Sequence, residues 1–207
     1  MCKYALCVIV HLMSEPGHRE REKAKRRRAI EIAALDLYAE RGFEETTIQE
    51  IADRASVSPR TVLMYFTSKA DIALSSVNLE VAKLTERLKK ESKKASVMEI
   101  YATWFKQFEI ETDSELQNSR SRAFKRNPTL TGSMSFEIQE AMEASSVALA
   151  KEYGLPKNHI GILLTLSLIG GLTNILEQTS ENQSELMNGM RTALEYADAG
   201  LKAVKSL

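Results

Sequence analysis

The chain has 207 residues with 28 Lys and Arg against 28 Asp and Glu, so its formal net charge is zero and any site for a polyanion must be a local patch. Hydrophobic residues at 43% and charged residues at 27% exclude a disordered chain, a collagen-like repeat and a multi-span membrane protein. With only 9 Gly and 4 Pro to break it, the sequence predicts an all-α fold of about nine helices.

Both cysteines, Cys2 and Cys7, lie at the extreme N-terminus, so no disulfide can staple the body, which fits a reducing, cytoplasmic compartment. The apolar run Tyr4 to Met13, interrupted by His11, is too short to span a bilayer. As a signal peptide it lacks a persuasive basic region and a clear small-x-small cleavage site. Residues 1–18 are therefore read as a disordered or upstream-extended N-terminus, with Met13 as an alternative start. Next comes Arg19 to Arg28, REREKAKRRR, whose seven basic and two acidic residues give a local charge of +5. Such a run is a solvated helix end or, ahead of a DNA-binding unit, an arm that reaches phosphates or a minor groove.

From Arg28 the apolar positions Ile30, Ala33, Ala34, Leu37 and Tyr38 recur at helical spacing, and Gly42 follows Arg41 as a stop. Thr47-Ile48-Gln49-Glu50 reads as a capping box that opens a short second helix over Ile48 to about Ala55. Ser56-Val57 then turns the chain. Ser58 is a good N-cap, and Pro59 sits at the first helical position, where its missing amide costs nothing; this third helix runs to about Phe66. Two short helices joined by about three residues and locked against a longer one make a helix-turn-helix, whose second helix lies in a major groove. In that second helix Val62 and Phe66 point inward, which leaves Arg60, Thr61, Met64 and Tyr65 outward. Thr67 to Asp71 caps a fourth helix.

The stretch Glu40 to Leu74, ERGFEETTIQEIADRASVSPRTVLMYFTSKADIAL, resembles the DNA-binding domain of the TetR (tetracycline repressor) family of bacterial transcription regulators. The resemblance covers roughly residues 22–82, with the motif at about 47–66, and leaves 83–207 as an effector-binding and dimerisation domain. It implies a dimeric, all-helical repressor of double-stranded DNA with a small-molecule pocket in its C-terminal half. By the same resemblance Thr47 and Lys69 match positions that anchor the domain on the DNA backbone, and Thr61 and Tyr65 match positions that face DNA. Arg60 stands where many members have glycine and can pair with guanine O6 and N7 or hold a phosphate. Leu63 departs from the aromatic residue common there. With the cap Ser58, the candidate DNA-binding set is Thr47, Ser58, Arg60, Thr61, Tyr65 and Lys69.

The fourth helix is expected over Ala70 to Ser92, with Leu74, Val77, Val81, Leu84 and Leu88 as its stripe. Further helices are expected at Val97–Thr112, Glu115–Arg126, Ser133–Tyr153, Lys157–Thr179 and Ser184–Lys205. Tyr101, Trp104, Phe105 and Phe108 form an aromatic stripe that is either plain core or a ligand wall. Because the resemblance places an effector pocket among these helices, the candidate ligand-binding set is Tyr101, Trp104, Phe105, Phe108, Phe124 and Met142, with Met134 and Phe136 as further lining. Ile160 to Leu176 is apolar nearly all round and stands at the lower length limit for a membrane span, so it must be covered by protein. Gly161, Gly170 and Gly171 would admit another helix. With Met187, Met190, Leu194, Ala197 and Leu201, this helix is expected to form a homodimer interface through about 158–179 and 184–205, and two-fold symmetry then predicts an inverted-repeat DNA target.

The chain has no Gly-rich phosphate loop, no HExxH and no paired CxxC, and His11, His18 and His159 are scattered. No enzymatic activity, metal, cofactor or membrane partner is expected. The rival reading is a protein-interaction module that keeps the fold without reading DNA, suggested by Leu63 and the zero net charge; an activator or architectural DNA binder is a third.

Overall fold

The computed structural model describes residues 18–111, 113–131, 136–180 and 182–205. Cys2, Cys7, His11 and Met13, with everything expected of the N-terminal extension before His18, lie outside the described residues, as does Met134. All regular structure among the described residues is helical: α1 (His18–Arg41), α2 (Ile48–Arg54), α3 (Pro59–Tyr65), α4 (Lys69–Glu91), α5 (Val97–Glu111), α6 (Ser114–Arg126), the single turn α7 (Pro128–Thr131), α8 (Phe136–Tyr153), α9 (Ile160–Thr179) and α10 (Gln183–Lys205). The basic run Arg19 to Arg28 is the first part of α1, continuous with the amphipathic segment that follows it.

Helix ends fall where local chemistry places them. Ser68 Oγ accepts from the amide of Asp71 to open α4, and Asp71 in turn accepts from the amide of Thr67. Asp113 caps α6 by accepting from the amides of Glu115 and Leu116. Helix α9 starts at Ile160 and not at Lys157, because the imidazole Nδ1 of His159 accepts from the amide of Gly161 and acts as the N-cap.

Two apolar cores share one helix. The first gathers Ile30, Leu35, Leu37 and Tyr38 of α1, Ile51 and Ala52 of α2, Val62 of α3, Phe66, and Ile72 to Leu74 of α4. It is closed by Leu116, Ala123 and Phe124 of α6 and by Leu130 of α7. The second gathers Leu84 and Leu88 of α4 with Val97, Ile100, Tyr101 and Phe105 of α5, Leu149 and Tyr153 of α8, and buried faces of α9 and α10. The single stripe expected on α4 thus feeds both cores, its N-terminal half one and its C-terminal half the other. An expected boundary near residue 82 falls inside this helix.

Polar contacts reinforce the seam between α1 and α6. Asn127, just past α6, donates to the carbonyl of Tyr38 at 3.0 Å and accepts from the amide of Phe43 at 2.8 Å. There α1 ends in Gly42, whose φ of +104° is a conformation that L side chains rarely adopt. Arg28 pairs with Asp113 and with Glu115, and Arg122 pairs with Asp36 at 2.7 Å.

Helices α9 and α10 pack closely. A Cβ at Gly161 would lie 3.1 Å from Leu201 and Val204, and one at Gly189 would collide with Leu176. Met190, Leu194, Ala197 and Leu201 are buried in the chain's own core, which corrects the expectation that they face a second copy: the pairing with α9 already uses that side of α10. An uncovered apolar ridge lies on α9 instead, where Leu164, Leu168, Gly171 and Ile175 recur at helical spacing beside Ile160 and Leu163. Gly170 and Gly171 have open space where a side chain would be. No helix among the described residues is long and apolar enough to cross a membrane.

Candidate nucleic-acid interface

The pair α2–α3 is built by caps at both ends of the turn. Thr47 Oγ1 accepts from the amide of Glu50, and the Glu50 carboxylate accepts from the amide of Thr47 at 2.9 Å and from its hydroxyl at 2.9 Å, so the box closes both ways. These hydrogen bonds hold the Glu50 carboxyl below the usual carboxylate range. At the other end of α2, the Val57 amide reaches back to the carbonyl of Ala52 and the Ser56 amide to that of Asp53. That is a Schellman closure, and it puts Ser56 at φ +54°, a left-handed conformation normally given to glycine. Ser58 Oγ accepts from the amide of Thr61 at 3.1 Å and shares a 2.8 Å hydrogen bond with its hydroxyl, with Pro59 at the first position of α3.

Around α3 the buried side is Val62 and the following Phe66, both packed into the first core. Arg60, Leu63 and Met64 are exposed, while Thr61 and Tyr65 are half-buried, Tyr65 with its ring against that core. Thr47 and Ser58 stand exposed as caps whose oxygens are already engaged.

Lys69 is placed differently from a simple phosphate contact. Its Nζ donates to the carbonyls of Phe43 at 2.8 Å, Glu44 at 3.1 Å and Thr46 at 2.8 Å, and it lies 4.7 Å from the centre of the Phe43 ring. An ammonium has three donors, and here each has an acceptor. The Lys69 carbonyl in turn accepts from the Tyr38 hydroxyl at 3.0 Å. The residue therefore fixes the loop between α1 and α2, and with it the capping threonine.

The basic run divides into two parts. Arg19, Lys23 and Arg26 are exposed on the early turns of α1. Arg27 instead turns toward the end of α3: its Nη1 donates to the carbonyl of Tyr65 at 3.4 Å and its guanidinium lies 4.5 Å over the Phe66 ring. Its Nε is 3.4 Å from Glu31. Glu31 is buried and accepts a hydrogen bond from Ser75 of α4, and burial pushes its carboxyl above the usual range. Nothing local in the sequence marks Arg27 out among its basic neighbours; only the fold brings Phe66 beneath it.

In the C-terminal body the aromatic stripe is in part plain core. Tyr101 and Phe105 are buried, with the Tyr101 hydroxyl 2.8 Å from Ser145 Oγ. Trp104 is half-buried, its ring centre 4.8 Å from that of Phe105 and 6.0 Å from that of Phe108, and its indole N–H donates to the carbonyl of Glu80 at 3.0 Å. The Phe108 ring lies 5.2 Å from the Arg120 guanidinium. Phe124 is separated from these rings: α6 packs against α1, and that side chain, 2% exposed, belongs to the first core. Met142 is 38% exposed, because α8 turns Ala141, Ser145, Ala148 and Leu149 inward and Met142 falls outside that face; Phe136 is exposed too. A cleft of about 230 Å³ does open between α4 and α5, lined by Glu80, Lys83, Arg87, Trp104 and Gln107. Apart from Trp104 this lining is polar and charged, so no apolar pattern in the sequence marks it. Among the described residues no group of three metal-ligating side chains occurs.

Residues 32–75 match the model of the bacterial regulatory proteins of the tetR family. The chain is 36% identical over 63 residues to the HTH-type transcriptional regulator TcmR of Streptomyces glaucescens, a stretch that is 30% of this chain and 28% of that relative, so the likeness spans less than a third of the relative's length. Among solved structures, NalD, the secondary repressor of the MexAB-OprM multidrug efflux pump in Pseudomonas aeruginosa, superposes with a TM-score of 0.58 at 22% identity over 86% of this chain and 96% of its own. The transcriptional regulator FadR from Bacillus subtilis in complex with stearoyl-CoA gives a TM-score of 0.54 at 19% identity, over 83% of this chain and 97% of its own. Both are likenesses of fold.

Proposed function

We propose, for a chain that carries the DNA-binding domain of the tetR family of bacterial regulatory proteins, that it is a dimeric, sequence-specific repressor in the cytoplasm, bound to an inverted-repeat operator and released by a small-molecule effector. The observation that carries this reading is the capped pair α2–α3, which buries Val62 and Phe66 and turns Arg60, Thr61 and Met64 away from the core. In this reading Arg60 and Thr61 reach base edges, Tyr65 borders them, and Thr47 and Ser58 meet phosphates near the helix N-termini. Lys69 acts on DNA through the loop it holds, and Arg19, Lys23 and Arg26 add phosphate contacts that set affinity and its salt dependence.

The dimer forms through the exposed apolar ridge of α9, Leu164, Leu168 and Ile175, with Gly170 and Gly171 admitting the second copy. Two α3 helices related by a two-fold axis then address two half-sites. An effector enters the body beside Trp104, in the cleft between α4 and α5. Support for a small-molecule effector comes from the structural neighbour FadR, which was solved in complex with stearoyl-CoA. Since α4 belongs to both cores, an effector that prefers one position of α4 favours one spacing of the two reading helices; it acts only through its differential affinity for the two arrangements.

The test is selection of bound duplexes from random DNA by the full chain, followed by competition with nonspecific DNA. The expected result is an enriched inverted repeat bound with steep salt dependence. A folded dimer that enriches nothing overturns the reading and favours a protein-interaction module.

A further inference from the structure

Helix α3 has one cation and no acid: Pro59, Arg60, Thr61, Val62, Leu63, Met64, Tyr65. Its hydrogen-bonding vocabulary toward bases is therefore small. Its buried residues Val62 and Phe66 define the inner side, and at 100° per residue the opposite ridge is centred on Met64, with Arg60 one turn earlier on the same ridge. Met64 is 76% exposed and Leu63, on its flank, is 56% exposed. Isolated exposed apolar residues are ordinary on a protein surface. Here two of them are adjacent, and one forms the crest of the helix that the DNA-binding domain turns toward its ligand.

The major groove offers one apolar group to such a crest, the 5-methyl of thymine, at an edge where the other groups are hydrogen-bond donors and acceptors. A methionine side chain suits it, being unbranched, polarisable and long enough to follow a methyl group without fixed geometry. One helical turn is about 5.4 Å against about 3.4 Å per base-pair step, so a residue four places beyond Arg60 falls about two base pairs further along the groove.

We infer that Met64, flanked by Leu63, is a specificity-determining residue that reads pyrimidine 5-methyl groups in the major groove about two base pairs from the contact of Arg60. The inference rests on the proposed reading of this domain as a DNA binder and deepens it. It explains how a seven-residue helix with a single cation can select a sequence: Arg60 and Thr61 supply the hydrogen-bonded positions, and Met64 adds a position read as methyl or no methyl.

The experiment uses the full chain and the inverted repeat selected from random duplex. Each thymine of one half-site is replaced in turn, in both half-sites symmetrically, by deoxyuridine, which lacks only the methyl group. Cytosines at other steps are replaced by 5-methylcytosine. Binding is expected to fall about three- to fivefold per methyl removed at one or two thymines about two base pairs from the Arg60 contact, and to be indifferent elsewhere. Met64→Ala should bind thymine and deoxyuridine duplexes equally, and Met64→Leu should restore the preference; at 76% exposure neither change disturbs the fold, which unaltered thermal unfolding checks. Where thymine is then exchanged for cytosine at the sensitive step, 5-methylcytosine should recover part of the loss. Equal binding of thymine and deoxyuridine duplexes by the wild-type chain, with the inverted repeat still selected, overturns the methyl reading and leaves the DNA-binding reading intact. A preference that survives Met64→Ala overturns the assignment to this residue. If no duplex is selected at all, both readings fall together.

Discussion

Lys69→Met keeps a long apolar stem and removes the ammonium that joins three carbonyls. The carbonyl of Glu44 is exposed and turns to water, but those of Phe43 and Thr46 lie in part-buried hydrogen bonds. Leaving a buried acceptor unpaired costs about 1–3 kcal/mol, so two of them, partly relieved by loop movement, amount to about 3 kcal/mol. For a chain of this length each kcal/mol moves Tm by roughly 2–4 °C, which gives a fall of about 6–12 °C. Lys69→Arg should recover only part of it, because a planar guanidinium cannot donate to three carbonyls converging on a point. The assay is thermal unfolding alongside DNA titrations at four salt concentrations, run well below the lower Tm. If Lys69 is a clamp, log affinity keeps its slope against log salt while Tm drops. A Tm within a degree of wild type together with a slope shallower by about one, the signature of one lost phosphate contact, would refute the clamp and restore the direct contact that the resemblance implies.

Arg27→Ala should lower Tm by roughly 3–6 °C through loss of the Phe66 stacking and the Glu31 pair, and it should reduce the ratio of specific to nonspecific DNA binding; Arg26→Ala, on the exposed side of α1, should lower both affinities alike, and an equal effect from the two changes would show that Arg27 does not position α3. Glu31 has its proton affinity raised by burial, so its contribution to stability is fully present below about pH 4.5 and is lost as pH rises through the higher folded value. Glu31→Gln keeps an acceptor for Ser75 and escapes that loss, so its denaturation midpoint should gain on wild type as pH rises above about 4.5; a difference that stays constant with pH contradicts the assignment. Ser56→Gly relieves a left-handed residue and should raise Tm by about 1–4 °C, the relief of about 1–2 kcal/mol being partly offset by the greater freedom of glycine in the unfolded chain.

The caps were legible in the sequence because their chemistry is local: Thr47 and Glu50, Ser58 and Pro59, Ser68 and Asp71 settle their helix ends within three residues. Helix α4 was legible too, since its stripe keeps one spacing across both cores. What sequence reasoning missed is long-range. Lys69 looks like any exposed lysine until the fold brings carbonyls 23–26 residues away around it. Periodicity identified apolar faces on α9 and α10 but not which was already spent within the chain, and so it assigned Met190 to Leu201 to a second copy. The same blindness placed Phe124 in the effector pocket: an apolar residue on α6 announces burial, not the core it joins.

The closure of the first core by α6 and α7 bears on how such chains can be recombined. A cut within α4 or in the linker after it would leave the reading head without Leu116, Phe124 and Leu130, and without the carboxamide of Asn127 that secures Tyr38 and Phe43. A foreign sensor domain grafted there would have to supply its own lid of matching shape and its own amide at that point. The exchangeable unit is consequently discontinuous along the chain, the stretch from α1 through the first turns of α4 together with the later pair α6 and α7, and functional hybrids should come from swapping the two pieces as one cassette.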